Sequence, residues 1–470
     1  MKVITILQII LTLVNTKASQ SQSQSQSQSQ RQRQSQSQSQ SQTFMKSNDL
    51  CNDGQSCCFQ RANTTCSIND LPPNESTFIH PGGDTGCLTS LPYRFEVIPG
   101  QMRRKMLLYF QGGGGCWNPL TSQLLRPCSI DALPEPDSPG VFNREDVNNP
   151  YKDWTIVHVL YCSGDLHVGN AMMPYKDFIS GEPIKHWGAR NIKAVLRWIH
   201  DQKFDLEDLI LMGCSAGCVG VQLFSNEILN TFKYKNAAVV LDSFVGTTAD
   251  GVAPYLYKKN GLCSSTDILK WNLDLQLACE ENRFTTPMVL DAQIKAYPHI
   301  PFIAINSKAD IVQRIAYFAT SGHFWVFKAS LWYDHISKVM DQLAENPNFA
   351  TFFVEGTHHC FTNAKWFMST YASGVRNTNV STTKSGVEVA SELLTTYLKQ
   401  LPLKPGCSIA SFCFGNYVSG DNPLDYTQCS IKQHAVSVAS IPRGIAVLSR
   451  TLRILHQWYV ELNSKPRTPL

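Results

Sequence analysis

The sequence is short of charge and, beyond its first residues, of long apolar runs. Charged side chains make up 17% of its 470 residues, and the formal net charge is +4. Lysine and arginine are spread along the chain rather than blocked. That argues against a nucleic-acid partner, whose contact surface is a concentrated basic patch. The strongest apolar run, residues 3–14 (VITILQIILTLV), is too short to cross a bilayer comfortably, and no later stretch is a candidate span. No cysteine or carboxylate cluster at ligand spacing accompanies the histidines, so neither a metal nor another cofactor is expected.

Cysteine, by contrast, is plentiful. Sixteen cysteines suit an oxidising compartment in which they can pair. The N-terminus agrees: Lys2, the apolar run, and then a small residue at Ala18 read as a secretory signal peptide over residues 1–18. Glycosylation sequons at Asn63, Asn74 and Asn379 are compatible with that route. The expected destination is outside the cell or the lumen of a secretory-pathway organelle. Residues 19–42 alternate serine and glutamine, broken only by Arg31 and Arg33. With nothing apolar to bury, this tract cannot offset the entropy of ordering and reads as a disordered tether.

Globular sequence begins near residue 50 with a cysteine-dense entry at Cys51, Cys57, Cys58, Cys66 and Cys87. A catalytic domain is expected over 50–405, including an amphipathic helix at 387–401. A C-terminal extension, 406–470, holds Cys407, Cys413 and Cys429 and has no legible role. Within the domain, apolar runs at 105–111, 154–161, 208–214, 237–243 and 301–307 read as strands. Between them lie helical patterns, plainest at 189–202, where Ile192, Val195, Leu196 and Ile199 share a face. Such alternation predicts an α/β fold, specifically an α/β-hydrolase-like, mostly parallel sheet flanked by helices.

The chemistry is most legible at residues 208–224, DLILMGCSAGCVGVQLF. A strand runs into Gly213-Cys214-Ser215-Ala216-Gly217 and then into a helix, the context of a nucleophile elbow. Glycines flank the serine because larger side chains would collide in so tight a turn. Ser215 is therefore the candidate nucleophile. Upstream, the strand at 105–111 ends in four glycines, Gly112 to Gly115. No Lys-Ser or Lys-Thr follows them, which excludes a phosphate-binding loop. A backbone bare of side chains suits an oxyanion hole, with donors assigned to Gly113, Gly114 and Ala216.

A hydrolase of this kind needs an acid and then a histidine, each after a later strand. Asp310 directly follows the strand at 301–307 and is the acid of choice. Asp242, ending the strand at 237–243, is its competitor or a support for the pocket. A further strand and a glycine turn lead to His358 and His359, between which spacing scarcely chooses.

These segments, PGGDTGC (81–87), LLYFQGGGGCW (107–117), NPYKDWTIVHVLYCSGD (149–165), GCSAGC (213–218), LDSFVG (241–246), INSKAD (305–310) and THHC (357–360), resemble the pectin acetylesterase and Notum family of carboxylesterases. The likeness runs over roughly residues 80–400 in the family's order and is nearest to its microbial-type branch. It implies that His359, immediately before a cysteine, is the base, and that Asp310 is the acid. Gly115 and Cys218 depart from the family's usual pattern. The resemblance implies a serine esterase acting on acetyl esters of pectin-like polysaccharide, and a secreted monomer is expected. Its alternatives are a deacylase removing a fatty acyl group from a secreted protein, or an inactive hydrolase fold that only binds.

Overall fold

The structure, a computed structural model, describes residues 49–50, 55–61, 65–134, 140–147, 149–263, 266–354, 356–364 and 372–376. The expected signal peptide, the Ser/Gln tract, the helix at 387–401, the C-terminal extension and the sequons at Asn63 and Asn379 lie outside the described residues.

Among the described residues eleven strands form one sheet, in the order β1-β2-β3-β4-β6-β5-β9-β10-β11-β12-β13. The outer members on one side are β1 (Asp49–Leu50), β2 (Ser56–Phe59), β3 (Thr77–His80) and β4 (Phe95–Ile98). The middle is β5 (Met102–Phe110), β6 (Trp154–Val159), β9 (Asp205–Cys214), β10 (Lys233–Asp242), β11 (Phe302–Ser307) and β12 (Phe349–Val354). β13 (Ala372–Arg376) closes the other side. From β6 through β12 every neighbouring pair is parallel, while β4 and β13 join antiparallel. A separate antiparallel pair is made by β7 (Ala171–Lys176) and β8 (Pro183–His186).

Parallel strands need crossovers, and helices supply them. In chain order these are α1 (Gly188–Asp201), α2 (Ala216–Thr231), α3 (Val252–Lys259), α4 (Thr266–Leu269), α5 (Leu273–Glu280), α6 (Thr286–Ala296), α7 (Ile311–Ser321) and α8 (Ala329–Leu343). The apolar stripe of α1 that the sequence marks is buried along its length at Ile192, Val195, Leu196 and Ile199.

The central strands read as continuous apolar runs because both their faces are covered. Met106, Leu108, Phe110, Leu209 and Leu211 join one core with the helices. The alternate residues Leu107, Tyr109, Ile210 and Met212 join a second core with Phe142, Tyr151 and Phe361. A mostly parallel sheet flanked by helices in this way is an α/β-hydrolase-like fold. No helix among the described residues is long and apolar enough to cross a membrane.

Pairing of the cysteines is extensive. Disulfides join Cys58–Cys66, Cys87–Cys162, Cys116–Cys128, Cys214–Cys360 and Cys263–Cys279. Among the described residues Cys218 carries a free thiol, and it is buried.

Candidate active site

Register brings the candidate residues to one edge. Gly213 of β9 stands opposite Phe110 of β5 and Leu241 of β10. Asp242 stands opposite Cys214 on one side and Ile305 on the other. Ser307, the last residue of β11, pairs with Val354, the last of β12. The chain therefore leaves β5, β9, β10, β11 and β12 at the same carboxyl end of the sheet, where α/β folds gather their ligands. The glycine loop, Ser215, Asp242, Asp310 and His359 all follow those exits.

Ser215 occupies the strained turn expected of an elbow, with φ 55° and ψ −121°. For a residue with a Cβ such a conformation costs about 1–3 kcal/mol and persists only where the surroundings enforce it. Here the Ser215 N–H donates to the Asp242 carbonyl at 2.9 Å, and its carbonyl accepts from Cys218 N–H at 3.0 Å. Glycine is obligatory beside it. A Cβ on Gly217 would lie 2.0 Å from the Phe110 carbonyl oxygen, and one on Gly213 would lie 2.6 Å from Gly217 backbone. Helix α2 starts at Ala216, so its positive end lies just beyond the hydroxyl-bearing residue.

The glycine loop runs against this turn: a Cβ on Gly112 would be 3.3 Å from the Ser215 Cβ. Gly113 and Gly114 have φ of 144° and 71°, which favour glycine. Their carbonyls are tied back, that of Gly113 by Ser129 N–H at 2.8 Å and that of Gly114 by the Tyr161 hydroxyl at 3.0 Å. Just before them, the Gln111 carbonyl accepts from His167 Nε2 at 2.8 Å, and the Gln111 side chain accepts from Tyr161 N–H at 2.9 Å. Because a carbonyl only accepts, Nε2 of His167 carries the proton. Burial pushes the His167 imidazole down to about 4, so it is neutral at physiological pH. The disulfide Cys116–Cys128 closes the segment.

Asp310 and His359 meet. Nδ1 of His359 lies 2.7 Å from Oδ2 of Asp310, whose side chain is fully buried. Asp310 caps α7, its Oδ1 accepting from Gln313 N–H at 3.0 Å and its Oδ2 from Gln313 Nε2 at 2.9 Å. The backbones of the two loops are laced together, Lys308 N–H to Val354 O, Ala309 N–H to Gly356 O, and Ile311 N–H to Thr357 O. His358 is the member of the pair whose carbonyl accepts from the Ser307 hydroxyl, at 2.6 Å. Nε2 of His359 is buried and has no hydrogen-bond partner among the described residues. A base whose Nδ1 is held by a carboxylate while Nε2 is left open is arranged to take a proton.

Asp242 is fully buried too, but it faces backbone. Its Oδ2 accepts from Phe361 N–H, Thr362 N–H and the Thr362 hydroxyl, each at 2.7 Å. Its Oδ1 accepts from the Ser243 hydroxyl at 2.8 Å, whose oxygen accepts in turn from Cys360 N–H. Burial raises its carboxyl above the usual range despite those bonds. Alongside, the disulfide Cys214–Cys360 joins the residue before Ser215 to the residue after His359.

Sequence reasoning missed Gln313, Tyr161 and His167, which brace Asp310 and the glycine loop. Only the run YCSGDLH at 161–167 hinted at the last two, and no spacing rule gave it a task. Among the described residues no three His, Cys, Asp or Glu side chains are grouped to hold a metal ion.

The strand order is that of an α/β-hydrolase-like fold. Residues 85–247 match the family model described as pectinacetylesterase, and the activity class which that match supports is carboxylic ester hydrolysis. The matched segment contains the glycine loop, the elbow and Asp242, while Asp310 and His359 lie beyond it. Among solved structures the chain is similar to two crystal forms of the Wnt deacylase Notum from Drosophila, both at 16% identity. One match covers 60% of this chain and 85% of the other at a TM-score of 0.44. The second covers 69% and 93% at 0.45. No curated protein matches the sequence.

Proposed function

We propose that the protein is a secreted serine carboxylesterase that removes O-acetyl groups from pectin-like polysaccharide through a Ser215–His359–Asp310 triad. The observation that carries this reading is the 2.7 Å contact of His359 with buried Asp310, its Nε2 unpartnered, at the strand edge that bears Ser215. In the first step His359 takes the Ser215 proton as the oxygen attacks the ester carbonyl. Asp310 holds the imidazole in the tautomer that leaves Nε2 able to accept. The N–H groups of Gly113, Gly114 and Ala216 receive the developing oxyanion. The alcohol leaves with the proton from His359, and water then hydrolyses the acetyl-enzyme with the same base. The pectinacetylesterase match over 85–247 supports acetyl as the acyl group, and the disulfides support passage through an oxidising compartment.

Purified protein assayed on p-nitrophenyl acetate, butyrate and octanoate, and on acetylated pectin with acetate release as the readout, tests the proposal. Acetyl is expected to be the acyl group transferred fastest, and acetylated pectin to be a substrate. An octanoate optimum with no acetate released from pectin would move the substrate to a fatty acyl ester. A folded wild type inert on all four would leave a binding protein.

A further inference from the structure

We propose that Asp242 is a positioning residue that ties the histidine loop to the nucleophile elbow, setting the reach between His359 and Ser215. The inference rests on the triad reading above and adds the part that holds its two halves in register.

Two pieces of backbone converge on this one residue. Its main-chain carbonyl accepts from Ser215 N–H at 2.9 Å, which fixes the elbow at the nucleophile itself. Its carboxylate accepts from the N–H groups of Phe361 and Thr362, two and three residues past His359. The Ser243 hydroxyl, which donates to Asp242 Oδ1, accepts from Cys360 N–H, so Asp242 and its neighbour together hold three consecutive amides after the histidine. The Thr362 hydroxyl donates to Oδ2, which leaves the Tyr109 hydroxyl to donate to Thr362 Oγ1 at 3.1 Å. Tyr109 lies on β5, the strand that feeds the glycine loop. Every partner of the carboxylate is a donor, the pattern an acceptor-only group satisfies.

The position is suited to alignment rather than to proton transfer. Asp242 is fully buried, and among the described residues its side-chain partners are amides and hydroxyls, with no imidazole. The disulfide Cys214–Cys360 spans the same gap covalently but joins residues flanking Ser215 and His359. It limits how far the loops can part, whereas the Asp242 bonds orient the peptides. A near-attack geometry is sensitive to such orientation, and a displacement of about 1 Å can cost about a hundredfold in rate.

The decisive experiment compares Asp242→Asn, Asp242→Ala and Thr362→Val with wild type on p-nitrophenyl acetate. Rates are expressed per active site titrated with a fluorophosphonate, so unfolded molecules drop out. Asp242→Ala should lower kcat about a hundredfold with KM within about threefold, the mark of lost alignment rather than lost binding. Asparagine can still accept the loop amides through Oδ1 and donate to the Ser243 oxygen, so Asp242→Asn should recover kcat to within about tenfold of wild type. If the alanine variant does not fold, Thr362→Val, which removes one bond to Oδ2, should still lower kcat about three- to tenfold at unchanged KM. Hydrogen exchange at the Phe361 and Thr362 amides should quicken in each variant that loses bonds.

Folded Asp242→Ala with wild-type kcat per site, Asp242→Asn as poor as the alanine variant, or Thr362→Val unchanged in both kcat and exchange would overturn the inference. An inert wild type, or a fully active Ser215→Ala, would instead overturn the triad reading. In that case the exchange rates alone still decide whether Asp242 holds the loop.

Discussion

Two aspartates stand at neighbouring strand ends, and they differ in what they hold. Asp242 closes β10 and Asp310 follows β11; both side chains are fully buried and both cap backbone N–H groups. Asp310 spends one oxygen on an imidazole and is braced there by Gln313. Asp242 turns one oxygen to the peptides and the Thr362 hydroxyl that follow that imidazole, and the other to the hydroxyl of its neighbour Ser243. A buried carboxylate at a strand end is thus not a catalytic group by position alone. The loop that descends on it decides, and here one loop, 356–362, delivers its side chain to one aspartate and its backbone to the other.

The floor for the comparison is Ser215→Ala, which should lower turnover by about a million-fold in protein that remains folded. Residual hydrolysis above about one per cent, with circular dichroism unchanged, would remove Ser215 from the role of nucleophile. His359→Ala should fall nearly as far, while His358→Ala should keep a rate within a few tenfold of wild type. Reversal of those two would mean that the Asp310 contact does not mark the base.

The aspartates themselves should separate next. Asp310→Asn presents an amide where the imidazole N–H needs an acceptor, favours the wrong tautomer, and should cost about ten-thousand-fold in kcat. Asp242→Asn should cost far less. If Asp242→Asn cripples the enzyme while Asp310→Asn is mild, their roles must be exchanged.

A covalent version of the same contrast lies at Cys214–Cys360, which closes a loop with a sequence separation of 146. On the chain-entropy model its loss in a Cys214→Ala/Cys360→Ala double variant should remove about 5 kcal/mol of stability, read from denaturant unfolding. A midpoint within error of wild type would show that the hydrogen bonds of Asp242 alone keep the two loops together.

How far the sequence alone led depends on how local each feature is. The elbow was legible because strand, glycines, serine and helix are consecutive, and the steric reason for Gly213 and Gly217 acts within five residues. The central strands were legible because burial on both faces leaves unbroken apolar runs at 105–111 and 208–214. Its place after a later strand favoured Asp310 over Asp242 without removing the competitor, and spacing scarcely chose between His358 and His359. Each choice depends on bonds between residues 49 to 120 positions apart, such as Asp310 to His359 and Asp242 to Thr362. The resemblance around THHC selected His359, and that around INSKAD supported Asp310. Tyr161 and His167 were invisible for the same reason, since they act on a loop about fifty residues upstream.

The smallest expected effect sets Asp242 against the buried histidine behind the glycine loop, and it is read in stability rather than rate. His167 falls from 6.5 to about 4 on folding because burial disfavours its cation. Between those values the unfolded chain binds a proton that the folded protein refuses. The stability His167 contributes is therefore fully present above about pH 6.5 and is lost as pH falls towards about 4, up to roughly 3 kcal/mol. Asp242 works in the opposite sense. Burial raises its carboxyl above 3.8, so its contribution is present below that value and is lost as pH rises through the folded one. His167→Gln keeps an N–H for the Gln111 carbonyl but removes the titration, and should flatten the loss of stability between pH 7 and 4. Asp242→Asn should steepen the loss at the acid end by removing the opposing contribution. Urea unfolding midpoints for the two variants at half-unit pH steps measure both slopes. A His167→Gln profile parallel to wild type would show that this imidazole is protonated as readily in the folded protein as in the unfolded chain.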